Sequence, residues 1–537
     1  MKLRGLFSIC LAGAALGVFA QTHVEGVEYF SADQINNARE LLNRNMNNAG
    51  TDKAVANYYL GQIAMLEGKT SEAKKYFDAG IAINPEYGYN YVGLGEILLL
   101  TAPKEAQKLF KQAEKFGKKD AALQIAIARA YYNVDPVANA KEINKRIEKA
   151  QRIDMGEPAI YIFEGDRLAD KKEWGNAAAQ YEMALNFDPN ATGAYVKYAN
   201  VYDYVNPNLS IAMLQNLLKQ NPTSALGQRQ LANTYYNQER YKEAAQEYGK
   251  YVQNPNHFKQ DEDRYALLLF SDGDYKKGYE YATKLLEADP NNFTAQRFQF
   301  MNAAQIEDMQ PRLLSLAEAL YSAHQSNPAN KFAAIDFTLI ADEFAKAKKF
   351  DEALAVLQEG EKELPEQKSF IHDAALIYFD MNQSDKAVKE FQRYLAGNES
   401  PNYTDAYQMA NLAYVAAFDA SGAEKDALLK TAAEYAHKAA EVNPKNYRPL
   451  KRAGDVAGMQ ATGNDAVKAK APYYKKAADL IESTNTQPSA SDARDIYKTL
   501  GEYYVLIGDK DNAKVYFTKY IAVNPDDAQV KKILGTL

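Results

Sequence analysis

The sequence predicts an all-α protein built from tandem helical hairpins, and its last full unit, Arg494 to Asp527, shows why. Apolar residues from Tyr497 to Tyr504 recur in steps of three, one and three, and those from Ala513 to Tyr520 in steps of four and three. Such spacing places each set on one side of a helix. Gly508 marks a turn between the two helices, and Pro525 ends the second because proline has no N–H to donate. The same arrangement recurs along the chain.

Residue size within this unit follows from how two short helices pack. Gly501 and Ala513 are small, which allows the helix axes to approach closely where they cross. Phe517 is large and fills the wider space beside them. The unit is therefore predicted to be a compact helix-turn-helix.

These small, aromatic and proline positions resemble the tetratricopeptide (TPR) repeat, a helix-turn-helix unit of 34 residues that stacks into a solenoid. The resemblance implies an all-α chain of tandem TPR repeats in a right-handed superhelical solenoid. About fourteen hairpins can be placed in register, more than the three or so that a stable stack needs. Many of them end in Asn-Pro or Asp-Pro, at Asn84, Asp188, Asn221, Asn254, Asp289, Asn327, Asn443 and Asn524.

The amino terminus has the features of a secretory signal peptide. Lys2 and Arg4 precede the apolar run Leu6 to Phe19, which is followed by Ala20. This run is too short to span a bilayer, so a membrane anchor is disfavoured. Cys10 does not fit a lipoprotein signal, because Ile precedes it where a small residue is needed. We therefore expect cleavage after Ala20 and export to the periplasm or outer envelope.

The composition of the mature chain limits its chemistry. Without the predicted signal peptide it has no cysteine, so disulfides, thiol catalysis and cysteine-metal sites are excluded. It keeps 61 basic and 70 acidic residues, a formal charge of −9, which disfavours a nucleic-acid partner. No second long apolar segment predicts a transmembrane helix in the mature chain.

The repeat pattern divides the chain into five segments. They are a signal peptide (1–20), a partial, capping hairpin (21–53), a regular N-terminal array (54–290), a C-terminal array with irregular copies and lengthened turns (291–493), and a final repeat with a capping helix (494–537). The lengthened turns are predicted at Ala420 to Lys425 and at Gly458 to Val467. Either turn is a candidate hinge.

Catalytic motifs are not apparent. The sequence has no nucleophile elbow, phosphate loop or dinucleotide fingerprint, and its glycines fall where the hairpins need them. The histidines are far apart in sequence and none has a metal-ligand spacing; they are His23, His257, His324, His372 and His437. We interpret them as surface or groove residues, and expect a non-catalytic protein with no cofactor and no metal.

The TPR resemblance implies a binding groove lined by the first helix of each hairpin. Carried over by position, its lining is Tyr58, Gln62, Asn200, Asp203, Arg229, Asn233, Tyr236, Phe270, Asp342 and Phe379. Arg229, Asn233 and Tyr236 project from the face not used for packing, so they are predicted to be free for a ligand. The expected function is a scaffold for partner proteins or peptides of the cell envelope. The alternative is an envelope-glycan-binding module, since tyrosine and asparagine also suit sugars.

A basic region contrasts with the acidic chain as a whole. Between Lys104 and Arg152 there are twelve basic and six acidic residues, a local charge of +6. Its most regular part is one face of a predicted second helix, with Lys104, Lys108, Lys111 and Lys115. This basic patch is interpreted as a solvated outer face. The alternative is docking of an acidic partner or an anionic envelope surface.

Overall fold

The computed structural model describes residues 21–203, 205–398 and 400–537. Over these residues the chain forms 29 α-helices and one short 3-10 helix, and no strand. The prediction of an all-α repeat solenoid is confirmed. The predicted signal peptide, residues 1–20, lies outside the described residues. No helix in the described part is long and apolar enough to cross a membrane.

The chain divides into two compact units, the first of which ends at Ile306. Unit 1 consists of consecutive antiparallel helix pairs followed by a single helix. The helices are α1 (His23–Ser31), α2 (Ile35–Asn45), α3 (Lys53–Leu66), α4 (Thr70–Ile83), α5 (Tyr89–Leu98), α6 (Pro103–Phe116), α7 (Ala121–Val134), α8 (Ala140–Ile153), α9 (Pro158–Asp170), α10 (Trp174–Phe187), α11 (Thr192–Tyr202), α12 (Pro207–Gln220), α13 (Ala225–Asn237), α14 (Tyr241–Tyr251), α15 (Lys259–Ser271), α16 (Tyr275–Ala288) and α17 (Phe293–Ala303).

Unit 2, Glu307–Leu537, begins with the 3-10 helix Glu307–Met309 and then continues in the same way. Its helices are α18 (Gln310–Ser326), α19 (Ala334–Lys346), α20 (Phe350–Glu363), α21 (Ser369–Asp380), α22 (Ser384–Leu395), α23 (Tyr403–Asp419), α24 (Gly422–Val442), α25 (Arg448–Met459), α26 (Gly463–Ser483), α27 (Ala490–Leu506), α28 (Lys510–Val523) and α29 (Ala528–Leu534). The irregular copy predicted around Phe300 to Pro328 is thus divided between the units, and the predicted capping helix is α29.

Local capping explains where the helices begin and end. Asp52 precedes α3, and its side chain accepts hydrogen bonds from the N–H groups of Ala54 and Val55, which have no partner within the helix. Between α27 and α28, Gly508 adopts a φ of +80°, a conformation that side chains with a Cβ disfavour. The predicted turn therefore forms at this glycine.

Glycines on first helices make room for aromatic rings from second helices. A Cβ on Gly61 of α3 or on Gly93 of α5 would lie only 2.3 Å from the ring of Phe77 on α4. Phe77 is fully buried between them. The same pairing recurs at Gly95 with Phe110, Gly165 with Tyr181, Gly454 with Tyr474 and Gly501 with Phe517. The small-and-large pattern predicted from the sequence is confirmed, and it is the ring that determines which position must be glycine.

The prediction of two lengthened turns is wrong. Most of the extra residues extend second helices: α24 begins at Gly422 and α26 at Gly463, and each has 21 residues. The long helices contain alanines at helical spacing, and Ala432, Ala436 and Ala477 are fully buried. The extra residues, 422–425 and 463–467, are exposed or partly exposed and lengthen the helices on the N-terminal side of these packed positions, so the connections between helices remain short.

Candidate binding site on the inner face of unit 1

Five charged residues, one from each of five consecutive first helices, lie along one surface of unit 1. They are Arg129 on α7, Asp166 on α9, Lys197 on α11, Arg229 on α13 and Asp261 on α15. We call this row the charge ladder and the surface that carries it the inner face. Because stacked hairpins present equivalent positions side by side, one charged residue per repeat forms a continuous row.

The first part of the ladder is an ion triad centred on Asp166. Its Oδ2 lies 2.8 Å from Arg129 Nη2 and its Oδ1 lies 2.9 Å from Lys197 Nζ. Burial alone would raise the pKa of Asp166, but the charges of Arg129 and Lys197 outweigh it and hold that pKa below its usual range. Tyr181 also donates its hydroxyl to Asp166 Oδ1 at 3.1 Å. The aspartate is therefore ionised and held in place.

The second part is a bidentate pair between Arg229 and Asp261. Arg229 Nε and Nη2 donate to the two carboxylate oxygens at 2.6 and 3.2 Å. Asp261 is 3% exposed and also accepts from the Tyr251 hydroxyl at 2.9 Å. Burial opposes the charge on Arg229, but the hydrogen bonds to Asp261 and its charge raise the arginine pKa above its ordinary value. A buried carboxylate of this kind requires its cation.

The N-terminal hairpin, formed by α1 and α2, binds to this ladder. Besides its neighbour α3, helix α1 packs against α11 and α13, which are more than 150 residues away in sequence. At the hairpin turn, Asp33 forms an ion pair with Lys197. The next residue, Gln34, accepts from Arg229 Nη1 at 3.1 Å and donates to Gln230 Oε1 at 3.1 Å. The hairpin was predicted to be a cap at the end of the array, but it also covers part of the inner face.

Apolar contacts accompany these polar ones. Tyr29 of α1 is fully buried and packs edge-on against Phe258, with ring centroids 5.4 Å apart. Gly193 at the start of α11 allows α1 to approach α11 closely, since a Cβ at this position would lie 2.2 Å from Ser31 Oγ. The hairpin is therefore seated in a fitted, partly apolar site.

Glu28 of α1 lies in the same contact. Its two carboxyl oxygens accept hydrogen bonds from Thr192 Oγ1 at 3.2 Å and Ser224 Oγ at 3.3 Å, and neither of these partners is a cation. Burial, and then the nearby charge of Glu25, raise the pKa of Glu28 to about 7. The docked hairpin therefore favours the neutral form of this residue.

This raised pKa predicts that the stability of the protein depends on pH. The folded chain holds a proton on Glu28 that the unfolded chain releases above the ordinary pKa of 4.5. Stability is therefore lost as pH rises from about 4.5 through 7, by roughly 1 to 3 kcal/mol. We expect Glu28→Gln to flatten this part of a melting-temperature profile measured against pH. The exposed Glu72→Gln is the matched control, and an unchanged Glu28→Gln profile would contradict the assignment.

The three residues predicted to be free for a ligand are engaged within the chain. Arg229 holds Asp261 and Gln34, as described above, and its side chain is 17% exposed. Asn233 Oδ1 accepts from Tyr248 Oη at 2.5 Å and from Arg264 Nη1 at 3.1 Å. The prediction that Arg229 and Asn233 are free for a ligand is therefore wrong, because the neighbouring repeats and the hairpin supply partners that the sequence pattern does not show. Tyr236 remains partly exposed, with the Arg264 guanidinium 5.6 Å from its ring centroid.

Several other predicted groove residues are buried or partly so. Tyr58 is 8% exposed and packs edge-on against Tyr59. Gln62 is 6% exposed and donates to Glu96 Oε2 at 3.1 Å. Asp203 is half-buried, and burial raises its pKa. Tyr58 and Gln62 therefore stabilise the fold and offer little surface to a partner.

The remaining groove residues are accessible to different degrees. Asn200, Asp342 and Phe379 are exposed, whereas Phe270 is half-buried beside Tyr275. Asn200 lies next to the hairpin contact, where it accepts from Gln230 Nε2 at 3.0 Å. Asp342 on α19 pairs with Lys346 at 2.7 Å. Asn200, Asp342 and Phe379 are the predicted groove positions where first helices meet solvent.

The charge ladder itself was missed by the sequence interpretation. Arg229 was predicted to line the groove, but it was not connected with Arg129, Asp166, Lys197 and Asp261, although successive members of this row are 31 to 37 residues apart, close to the repeat length. Charged residues recurring at equivalent first-helix positions are therefore the signal that would have identified it.

The basic patch lies on α6, a second helix. Lys104, Lys108, Lys111 and Lys115 are all exposed, and Ala106 on the opposite side is fully buried. Lys108 pairs with Glu105 at 2.8 Å. On the neighbouring α8 the basic residues Lys145, Arg146, Lys149 and Arg152 are each paired with a glutamate. These glutamates are already counted in the local charge of +6, so the pairs leave that excess in place on exposed side chains of α6, as expected for a solvated face.

Comparison with known proteins identifies two of the repeats. The tetratricopeptide repeat family matches residues 54–87 and 495–527. No curated protein matches the chain.

Solved structures of repeat proteins align at low identity. The C-terminal part of a TPR repeat-containing protein from Cytophaga hutchinsonii aligns with a TM-score of 0.43 and 15% identity, over 50% of this chain and 98% of its own. The Cut9–Hcn1 hetero-tetramer aligns with a TM-score of 0.32 and 12% identity, over 96% and 99% of the two chains. YrrB, described as a TPR protein with an unusual peptide-binding site, aligns with a TM-score of 0.30 and 16% identity, over 41% and 100%.

Proposed function

We propose that this chain, which contains tetratricopeptide repeats, is a non-catalytic scaffold that binds partner proteins or peptides through its first helices. One observation carries the proposal: the inner face of unit 1 already holds a polypeptide segment, the N-terminal hairpin. Lys197 pairs with the carboxylate of Asp33 and Arg229 binds the carboxamide of Gln34. A carboxylate, a carboxamide and a buried tyrosine are groups that any protein partner can supply.

The charge ladder suits an extended contact better than a small-molecule site. Its groups are distributed over five repeats and do not converge on a single cavity. Because Lys197 is 8% and Asp261 3% exposed, a further partner would lie beside the ladder and contact exposed first-helix residues such as Asn200. Repeat solenoids bind proteins over extended surfaces of this kind.

The aromatic cluster around the predicted groove residue Tyr58 favours a protein partner over an envelope glycan. A sugar ring needs the flat face of an accessible aromatic ring. Tyr59 contacts both Phe30 and Tyr58 edge-on, with centroid distances of 5.1 Å in each case. Since Tyr58 is also buried, these rings are packing residues and do not form a platform for a sugar.

We also propose that the protein acts in the periplasm or at the outer envelope. The proposal rests on the apolar run Leu6 to Phe19 with Lys2 and Arg4 before it and Ala20 after it. It is consistent with a mature chain that has no cysteine and therefore no disulfide.

Site-specific photocrosslinking in cells would test both proposals. Benzoylphenylalanine would replace Asn200, Asp342 or Phe379 on first helices, and Lys104 or Lys111 on α6 as matched outer controls. We expect the first-helix positions to give discrete protein adducts at several-fold higher yield than the controls. Mass spectrometry of the recovered protein should show an amino terminus at Gln21.

The binding proposal and the export proposal can be contradicted separately. If only the Lys104 and Lys111 positions gave adducts, the binding site would lie on the basic patch. Saccharide adducts without protein adducts would favour the glycan alternative. Recovery of an intact Met1 chain, or of a lipid on Cys10, would overturn the export proposal without affecting the binding proposal.

A further inference from the structure

Unit 2 brings together three side chains that are distant in sequence. His324 near the end of α18 faces Glu359 and Glu363, which are one helical turn apart on α20. Its Nε2 lies 3.7 Å from Glu359 Oε1 and 3.5 Å from Glu363 Oε1. Because 35 residues separate His324 from Glu359, no short motif marks the cluster.

The imidazole of His324 is buried and fixed in orientation. Its side chain is 3% exposed and stacks on Phe332, with ring centroids 4.0 Å apart. Nδ1 lies 2.7 Å from the carbonyl oxygen of Asn330, which can only accept, so Nδ1 carries the proton. In the neutral ring, Nε2 therefore presents a lone pair to the two carboxylates. The expectation that His324 is a surface or groove residue is wrong.

Each glutamate has one oxygen held by another group and one oxygen facing His324. Glu359 Oε2 accepts from the Tyr321 hydroxyl at 2.6 Å. Glu363 Oε2 lies 3.6 Å from Lys331 Nζ. Partners of this kind outside the ligand set orient metal-binding carboxylates and histidines.

We propose that His324 Nε2, Glu359 Oε1 and Glu363 Oε1 bind a divalent transition-metal ion such as Zn²⁺. A lone pair that faces two carboxylate oxygens needs a cation between them, either a proton or a metal ion. The two separations, 3.5 and 3.7 Å, exceed the usual N–H···O range of about 2.7 to 3.2 Å. They are close to the roughly 3.4 Å expected between two ligands that each lie about 2.0 to 2.1 Å from a tetrahedral metal.

The donor set also fits the ion class. One imidazole nitrogen and two carboxylate oxygens are ligands that Zn²⁺ and neighbouring divalent metals accept. Three protein ligands leave a fourth position for water, and the partial exposure of the two glutamates gives it access. In this position the ion would join α18 to α20 and restrain the loop that contains Asn330 and Phe332. Its expected effect is to stabilise the contact between these elements.

Titration of metal-free full-length protein with ZnCl₂ would test the site. We expect one tight site per chain by calorimetry and a rise in melting temperature on binding. Glu363→Gln should weaken that site by about 100-fold or more and abolish the rise in melting temperature, because it removes one of three ligands. His324→Asn should do the same. With Co²⁺, the wild type should show the visible absorption of a four-coordinate nitrogen- and oxygen-bound ion.

Two exposed residues provide matched controls. His437→Asn and Glu366→Gln remove the same chemical groups elsewhere in unit 2 and should leave the affinity unchanged. If His324→Asn fails to fold, Glu363→Gln, which retains the side-chain size, decides the question. Absence of a stoichiometric Zn²⁺ site in the wild type, or equal affinity in Glu363→Gln, would overturn the proposal.

Discussion

Replacing Arg229 with alanine should destabilise unit 1 by about 3 to 5 kcal/mol. The substitution leaves Asp261, which is 3% exposed, without the guanidinium that binds both of its carboxylate oxygens. Removal of one partner of a buried ion pair is costly because the other charge stays in a medium that solvates it poorly. Gln34 loses its Arg229 partner as well, so the N-terminal hairpin should be released first.

Urea unfolding followed by circular dichroism would measure the loss, and hydrogen exchange would locate it. We expect faster amide exchange in α1 and α2 of the variant than in the wild type. Arg264→Ala is the control from the next repeat: it is exposed and contacts Asn233 at 3.1 Å, so it should cost less than about 1 kcal/mol. Equal stability of the two variants would show that the Arg229–Asp261 pair does not hold the inner face together.

Replacing Phe77 with alanine should have a comparable effect, about 3 to 5 kcal/mol, for a different reason. The ring of Phe77 fills the space left by Gly61 on α3 and Gly93 on α5, and it is fully buried. Neither glycine has a side chain that could move into the cavity. The loss therefore combines the burial of the ring with an unrelieved cavity.

The same substitution at an exposed phenylalanine provides the comparison. Phe187 ends α10 and is 46% exposed, so Phe187→Ala should cost less than half as much. Thermal and urea unfolding of the two variants would be measured side by side. If Phe77→Ala proved as mild as Phe187→Ala, α3, α4 and α5 would have to repack around the vacated site, and the glycine-aromatic pairing would not determine the stacking.

The sequence by itself determined the repeating unit. Helical spacing, glycine turns and terminating prolines are local signals, and each acts within about one hairpin. The positions of Gly501 and Phe517 predicted a contact that the structure shows, since a Cβ on Gly501 would lie 2.6 Å from that ring. Helix pairs and their packing faces could therefore be predicted from residues close together in the chain.

Helix lengths were less predictable where alanine-rich insertions occur. Residues after Ala420 and Gly458 lack the repeat pattern, which favoured loops over helices. In the structure most of them extend α24 and α26. Alanine is a good helix former, and the residues that lengthen the two helices, 422–425 and 463–467, are exposed or partly exposed. These helix extensions thus follow local helix propensity, which a repeat pattern made of packed positions does not contain.

Only the tertiary structure decided which distant residues meet. Small rotations between successive repeats accumulate until α1 lies beside α11 and α13, and this joins Asp33 to Lys197 and Gln34 to Arg229. In unit 2, the packing of α18 beside α20 brings His324 to Glu359 and Glu363, a contact that the local pattern also did not predict. A local periodic pattern fixes the face on which each side chain lies. It does not fix the sum of the rotations between repeats, and that sum determines which side chains meet across a unit.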